Sequence, residues 1–362
     1  MFNIHMLPAS FGDSLLIEYG EKDRRKYILI DGGPYYQFDE IIETLREVVP
    51  DMKEIELLVI THVDIDHIDG IIRLLNHDPA LFKIKNVWFN NYEDLSFEEP
   101  ADLLGGIQGE YLNVLVDKKD LNKNEKPITI HRDPEKIKID DDFSIRIINP
   151  TQKALKKLLK KWDKHMLDKD LKHDEKKIWE RLNEDFRYEP LPADVLGEEK
   201  DVKSLSEIKS KEDKSEANRS SIALLITYKK KTCLMAADAT SEDLKANLEH
   251  LDLLNSWGQL NVDAWKLSHH GSKKSNQAYL TKMIQAKKIL ISTDGKKYDH
   301  PDKETIARLI MNQESNLDIF FNYTSTFNKI WKKQRLPSGI KCTFHFPEEE
   351  GYKKVALIPD SS

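Results

Sequence analysis

Short apolar runs recur along the chain, and polar or glycine-containing turns separate them. Runs of this kind predict buried β-strands. The first three runs are followed by the turn Asp31-Gly32-Gly33 and predict an opening β-meander. Predicted strands cover residues 2–7, 14–19, 26–30, 56–60, 86–89, 143–148, 222–228, 232–236, 262–267, 288–292, 317–322, 340–346 and 353–358. The last three predict a C-terminal extension of a sheet. Apolar residues at helical spacing predict helices over 38–49, 68–75 and 301–310.

A charged segment between residues 151 and 216 interrupts this pattern. About half of its residues are Asp, Glu, Lys or Arg. Leucines and aromatic residues at helical spacing predict a helical hairpin, followed by a polar linker over 197–216. The chain is therefore predicted to consist of a first half (1–150), a charged helical insertion with its linker (151–216), and a second half (217–362). The insertion is the predicted place for partner or substrate specificity, with a protein partner as one candidate contact.

Charge and cysteine content narrow the class of protein. The net charge is −7 and the sequence pI is about 6.0, so a global basic surface for nucleic acid is absent. Two cysteines indicate a reducing compartment. The N-terminus lacks the pattern of a signal peptide, and no apolar run approaches the roughly 20 residues that span a bilayer. We therefore expect a cytoplasmic protein without membrane contact.

Four potential metal ligands lie between a predicted buried strand and a predicted helix. They are His62, Asp64, Asp66 and His67, spaced as His-x-Asp-x-Asp-His. A strand-to-helix turn can direct such side chains into one cleft, where imidazole nitrogen and carboxylate oxygen suit zinc, manganese or iron. Alternatively, Asp66 caps the following helix. The interleaved pattern favours a metal site.

This motif resembles the His-x-His-x-Asp-His signature of the metallo-β-lactamase fold, with Asp64 in place of the second histidine. The replacement is similar to the hydrolase domain of ComEC-type DNA-uptake proteins and their stand-alone relatives. The resemblance implies an α/β (α+β) fold, a four-layer αββα sandwich with the metal cleft at one edge between two sheets. It covers most of residues 1–150 and 217–312.

Motifs in the second half extend the resemblance. Asp238 follows an apolar strand, with Ala237 where the family has glycine, and is expected to bridge two ions. The sequence Ser268-His269-His270-Gly271-Ser272 is similar to a His-His-Gly-Ser motif of the ComEC-like branch. We favour His270 as the ligand and His269 as its support or as a proton donor, although the two roles can be exchanged.

Other residues are assigned supporting roles. His300, before Pro301, is expected to act in acid–base chemistry or phosphate binding, and Ser272 either caps a helix or binds phosphate. Asp31 is expected to hold a ligand from behind, whereas Asp13 is interpreted as structural. Many members of the fold place a third histidine ligand after a central strand, where this chain offers Asn90 or Asn91. Asn90 is a candidate substrate contact.

These residues predict a hydrolase with one or two divalent ions, Zn²⁺ or Mn²⁺, that uses a metal-activated water. Asp66 would orient that water or accept its proton. Two adjacent ions suit attack on phosphorus. Together with the resemblance to the ComEC-like branch, this favours a phosphodiesterase or nuclease that acts on nucleic acid or a nucleotide. A role in bacterial defence is compatible with the stand-alone relatives. The alternatives are hydrolysis of another ester or amide, such as a phosphocholine ester or a lactone, and a partner-dependent metal-binding subunit.

Overall fold

The computed structural model describes residues 1–90, 106–119, 121, 126–131, 137–138, 141–168, 201–313 and 316–359. The strands are β1 (Phe2–Met6), β2 (Leu15–Glu21), β3 (Arg24–Ile30), β4 (Glu54–Ile55), β5 (Leu57–Val59), β6 (Lys83–Ile84), β7 (Val87–Trp88), β8 (Ile137–Lys138), β9 (Phe143–Asn149), β10 (Ala223–Tyr228), β11 (Lys231–Met235), β12 (Leu260–Lys266), β13 (Ile284–Ile291), β14 (Leu317–Phe321), β15 (Cys342–His345) and β16 (Lys353–Ile358).

Helices connect most of these strands. They are α1 (Phe38–Val48), α2 (Ile65–Asn76), α3 (Gly106–Lys118), α4 (Gln152–Asp168), α5 (Val202–Ser206), α6 (Glu216–Arg219), α7 (Ser241–His250), α8 (Ala278–Met283), α9 (Lys303–Asn312) and α10 (Thr326–Lys329), with short 3-10 turns at Tyr35–Gln37, Ser268–Gly271 and Ile330–Lys332. The predicted opening meander is present as β1–β3. In the described ranges no helix combines the length and the apolar character that a bilayer crossing requires.

Two large sheets form the frame. The first has the order β16-β1-β2-β3-β5-β7, and the second has the order β15-β14-β13-β12-β11-β10-β9-β8. The predicted C-terminal extension is divided between them, because β14 and β15 extend the second sheet whereas β16 pairs antiparallel with β1 of the first. Strands β11 to β15 run parallel, so their carboxyl ends meet at one edge.

Three apolar clusters show the order of the layers. One cluster lies between the two sheets and includes Ile4 and Leu224. A second packs α1, α2 and α3 on the outer face of the first sheet, and a third packs α7, α8 and α9 on the outer face of the second. Side chains alternate along a strand, so each sheet buries both faces. The result is an αββα sandwich.

The end of the predicted linker is packed against the second sheet's helices. Val202 and Leu205 are buried in the same cluster as α9. The Ser210 hydroxyl donates to the Lys273 carbonyl at 2.8 Å. Residues 201–216 are therefore part of the folded body, and the second helix of the predicted hairpin lies outside the described residues.

Candidate metal centre

The histidine–aspartate motif forms the turn between β5 and α2. Asp64 immediately precedes the helix, and Asp66 lies in its first turn. The alternative that Asp66 caps this helix is therefore wrong. The backbone packs closely at this point, since a Cβ on Gly70 would lie 1.8 Å from the carbonyl oxygen of Gly32. Glycine lets α2 approach the loop after β3 and brings the motif to the sheet edge.

Asp238 lies in the middle of the site, shortly after β11, and is buried. Four imidazoles surround its carboxylate, and each directs Nε2 towards one of its oxygens. His67 Nε2 is 3.6 Å from Oδ1 of Asp238. The corresponding distances to Oδ2 are 3.9, 3.8 and 3.8 Å for His62, His269 and His270.

Two more carboxylates border the same group of rings. Oδ2 of Asp64 is 3.6 Å from Nε2 of His62. Oδ2 of Asp66 lies 3.5 Å from Nε2 of His270 and 3.9 Å from that of His67. All predicted ligands therefore share one cluster with His269: His62, Asp64, Asp66, His67, Asp238 and His270. Their action as ligands stays a prediction.

Each ring is held from behind through its Nδ1 atom. His67 donates to Asp31 at 2.8 Å, and His270 donates to the Ser292 carbonyl at 2.9 Å. His62 Nδ1 lies 3.0 Å from the Thr61 hydroxyl. The Thr61 hydroxyl itself donates to Asp31 at 2.7 Å, so its oxygen accepts from His62. A proton on Nδ1 leaves the Nε2 lone pair available for a metal.

The site contains buried polar atoms that a divalent ion would satisfy. Nε2 of His62, His67 and His270 and Oδ1 of Asp238 have no hydrogen-bond partner among the described residues. The separations of 3.5–3.9 Å within the cluster exceed hydrogen-bond lengths. They are close to the roughly 3.4 Å between two ligands of one tetrahedral zinc ion. The donor set therefore fits one or two divalent ions.

Asp13 borders this cluster but has a different partner. One ligand-type atom from each of Asp13, His67, Asp238 and His270 lies within 4.8 Å of the others, and all four residues are buried. The Lys266 ammonium forms a buried ion pair with Asp13. Because that ammonium already neutralises the carboxylate and would repel an ion, we assign Asp13 to support of the site.

A strained turn presents both adjacent histidines to Asp238. After β12, His269 and His270 have φ values of 47° and 52°. These values lie in the left-handed region of backbone conformation, which residues other than glycine rarely adopt. The His269 amide donates to the Ala237 carbonyl at 2.9 Å, and the Asn276 amide group donates to the carbonyls of Ser268 and Ser272 at 2.7 and 2.8 Å. These bonds hold the turn.

Burial opposes charge at Asp238 and His270, but attraction to the neighbouring groups of opposite charge is stronger at both. Against burial, the imidazoles of His269, His67 and His270 hold the pKa of Asp238 well below its usual range. Against burial, Asp238 and Asp13 raise the pKa of His270 to about 9. In the metal-free protein, protonated rings thus balance the carboxylates, and an ion that binds would displace their protons.

Two acidic residues of the site were not anticipated. Asp213 accepts a hydrogen bond from Nδ1 of His269 at 3.1 Å, and its isolated position in a polar stretch gave no sequence signal. Asp69 is buried, and burial together with the Asp66 carboxylate raises the pKa of Asp69 to about 8. Its position on the helical face of the motif, three residues after Asp66, could have pointed to it.

The supporting residues differ in how close they come to the cluster. Asp31 contacts His67 and Thr61 as an orienting residue must. The His300 ring lies 5.6 Å from the His269 ring, centroid to centroid. Burial and the nearby positive rings of His269 and His270 lower the pKa of His300 well below its usual range, so its ring is neutral. Helix α9 begins at Lys303, two residues later than predicted.

Ser272 and Asn90 have structural contacts. The Ser272 amide donates to the His269 carbonyl at 2.8 Å, and the next helix, α8, has Gln277 at its cap position. Ser272 is therefore not the predicted helix cap. The Asn90 amide donates to the Ile128 carbonyl at 3.0 Å and accepts from the Ile128 amide at 2.7 Å. Both of its polar groups are engaged, and Asn91 lies outside the described residues.

The comparison with protein families supports the fold. Residues 7–144, less than half of the chain, match the family model described as the metallo-beta-lactamase superfamily. The two-sheet sandwich is the metallo-β-lactamase fold, as the resemblance implied.

Two solved structures are similar at 11% sequence identity each. One is a protein from Parabacteroides distasonis described as a candidate metal-dependent hydrolase, with a TM-score of 0.38 over 88% of this chain and 93% of that one. The other is Zn²⁺-bound PqqB from Methylobacterium extorquens, with a TM-score of 0.42 over 99% of this chain and 100% of that one. Likenesses of this size say nothing about the reaction of this chain. No curated protein matches it.

Proposed function

We propose that this protein is a divalent-metal-dependent hydrolase that cleaves phosphodiesters of nucleic acids or nucleotides. The proposal rests on the central position of the Asp238 carboxylate among the other potential ligands. This carboxylate faces the Nε2 atoms of four histidines, and two further carboxylates flank those rings on different sides. One carboxylate between two groups of ligands can bridge a pair of ions.

We assign the ligands to two groups around Asp238. The first contains His62, Asp64 and His269, and the second contains Asp66, His67 and His270. In the first group His269 takes the place of the histidine that this chain lacks after its central strand. An ion bound in each group would supply an activated water and polarise the phosphoryl group. The additional carboxylate at Asp64 makes the first group harder, which favours manganese more than an all-histidine zinc site does.

The protein's own residues then position the reacting groups. Asp66, which borders both His67 and His270, can orient a water or accept its proton. The His300 ring is neutral and lies beside His269, so it suits hydrogen-bond donation to a phosphate or leaving oxygen better than proton release. Asp31 fixes the direction of the His67 ring.

Hydrolysis of bis(p-nitrophenyl) phosphate by the purified protein, with added Zn²⁺ or Mn²⁺ and after chelation, tests the proposal. We expect metal-dependent turnover and about two ions per chain by elemental analysis. Asp238→Asn should remove turnover and lower the metal content. His345→Ala is the matched control, since His345 pairs with Asp318 at 2.8 Å outside the cluster.

The outcomes separate the alternatives. Metal-dependent turnover that is lost in Asp238→Asn and kept in His345→Ala supports a phosphodiesterase. Bound metal without turnover on this or any nucleotide diester would instead favour hydrolysis of a different ester or a partner-dependent subunit that contacts its partner through 151–216. Absence of both bound metal and turnover would refute the proposal that this protein is a metal-dependent enzyme.

A further inference from the structure

An aromatic and cationic rim borders the metal centre. We use this name for Phe11, Tyr36, Lys297 and Tyr298. Within the described part of the chain, the exposed large apolar side chains are Tyr36, Trp257, Tyr279 and Tyr298. Two of these four therefore belong to the rim. Their exposed fractions are 51% for Tyr36 and 46% for Tyr298, and Phe11 is buried between them.

Ring contacts connect the rim to the metal centre. The Phe11 ring lies 6.3 Å from Tyr36 and 6.0 Å from Tyr298, centroid to centroid. The Tyr298 ring lies 6.2 Å from His300, whose ring in turn contacts His269. The rim therefore adjoins the position where the scissile group of a bound substrate would lie.

Lys297 lies over two rings of the rim and is within electrostatic reach of the acidic cluster. Its ammonium is 4.3 Å from the Phe11 centroid and 4.9 Å from the Tyr298 centroid. Burial lowers the pKa of Lys297, whereas the carboxylates of Asp66 and Asp64 favour its charged form. The predicted metal-binding motif is thus near enough to influence the charge of this ammonium.

Hydrogen bonds fix the segments that carry the rim. The Tyr36 hydroxyl donates to the Ser10 hydroxyl at 2.9 Å, and Ser10 donates to Asp294 at 2.7 Å. The Asp294 amide donates to the Ser10 carbonyl at 2.9 Å. The loop before Phe11 and the loop before Lys297 are therefore joined, and the exposed rings are presented in a fixed arrangement.

We propose that the rim recognises the nucleoside side of a phosphodiester, with Lys297 at a non-bridging phosphate oxygen and Tyr36 and Tyr298 against the base. Every nucleobase has a π-face that can stack on an aromatic side chain, which makes such a platform tolerant of sequence. This inference rests on the proposed phosphodiesterase function and names its substrate class.

The same geometry disfavours a choline phosphodiester. Quaternary ammonium groups bind in aromatic cages by cation–π attraction. Here the Lys297 ammonium already lies over one face of the Phe11 ring and one face of the Tyr298 ring. A second cation would be repelled, whereas an anionic phosphate that carries a flat base would be attracted to both parts of the rim.

Three p-nitrophenyl esters with the same leaving group test this inference. They are thymidine 5′-(p-nitrophenyl) phosphate, methyl p-nitrophenyl phosphate and p-nitrophenyl phosphorylcholine. We expect the highest kcat/KM for the thymidine ester. Tyr298→Ala should lower that value about 10- to 100-fold, the range expected for loss of one stacked base. The value for the methyl ester, which has no base, should fall by a clearly smaller factor.

Matched variants separate the parts of the rim. Tyr298→Phe keeps the ring and should retain the preference for thymidine. Trp257→Ala removes another exposed ring before β12, at the end of that strand opposite His269, and should have no effect. Lys297→Met removes the charge, so it should raise KM for both anionic esters and improve phosphorylcholine relative to them.

Calorimetric binding of thymidine 5′-monophosphate to the metal-loaded protein provides a readout without turnover. Equal kcat/KM for the thymidine and methyl esters, or a preference for phosphorylcholine in the wild type, would overturn the inference and leave the hydrolase in place. If no ester is hydrolysed, the proposed function fails. Nucleotide binding that depends on Tyr298 would then still support the inference that the rim recognises a nucleoside. Absence of nucleotide binding would overturn that inference.

Discussion

Replacement of Asp213 by asparagine tests whether the end of the insertion contributes to metal binding. The Asp213 carboxylate holds the Nδ1 side of His269 and also accepts from Asn218 at 2.7 Å, Ser275 at 3.0 Å and the Ser215 amide at 2.9 Å. Asparagine keeps the size and one oxygen acceptor but removes the charge. The His269 ring therefore loses its charged partner. When the remaining oxygen faces His269, Asn218 and Ser275, the amide nitrogen takes the place of the oxygen that accepts from the Ser215 amide, so that one contact is lost.

The magnitude follows from the type of hydrogen bond that changes. A hydrogen bond to a charged group contributes about 1.5–3 kcal/mol and a neutral one about 0.5–1.5 kcal/mol. The difference of about 1–1.5 kcal/mol corresponds to roughly a tenfold loss of affinity. Asp213→Ala removes the acceptor altogether and should approach the 100-fold loss seen for orienting partners of metal ligands.

Zinc affinity and stoichiometry, measured by competition with a chromogenic chelator, provide the assay. We expect Asp213→Asn to lower the affinity for one of two zinc ions about tenfold and to leave the affinity for the other unchanged. Asp31→Asn is the matched control, because Asp31 holds His67 in the second ligand group and should weaken the other ion. Wild-type affinity for both ions in Asp213→Asn would refute the idea that His269 needs this carboxylate.

Further predictions concern stability. Ala237 has a φ of 47°, so Ala237→Gly should leave the free energy of unfolding unchanged or raise it by up to about 1 kcal/mol in urea titrations; a clear decrease would contradict the strain. Burial opposes the charge of Glu18, yet hydrogen bonds from His5 and others hold its pKa at about 2, below the ordinary 4.5. The stabilising contribution of the Glu18 carboxylate is complete above pH 4.5 and is lost as the pH falls towards 2. Glu18→Gln should therefore lower the free energy of unfolding more at pH 6 than at pH 3. Equal effects at the two pH values would be inconsistent with the low pKa of Glu18. Asn90→Ala should lower the free energy of unfolding by about 1–3 kcal/mol, because the Ile128 backbone loses both partners, while KM for phosphodiesters stays constant; a raised KM would restore Asn90 as a substrate contact.

Local patterns in the sequence predicted most of the strands of the fold and the residues at the core of the site. The apolar runs placed the strands because each sheet is buried on both faces, and the motif around His62 placed a strand-to-helix turn where β5 and α2 meet. Asp238 was identifiable because it follows a buried strand. These features depend on neighbours in the chain, which a sequence displays directly.

Long-range partners were not predictable in the same way. Asp213 reaches His269 across 56 positions of the chain, and nothing near it in sequence marks it as different from other acidic residues of the linker. The two adjacent histidines left their roles open because only the left-handed turn decides that both face Asp238. The sheet that receives β16 was equally undetermined, since its alternating pattern suits either edge.

The pairing of β16 with β1 also has a consequence for the order of events during synthesis. Phe2 to Met6 pair with strand residues that are made about 350 positions later, from Lys353 to Ile358. While the chain is still being translated, β1 has β2 on one side and an unpaired edge on the other. Such an edge can pair with another chain. We therefore expect ribosome-bound intermediates to need protection at this edge until β16 has been released from the ribosome.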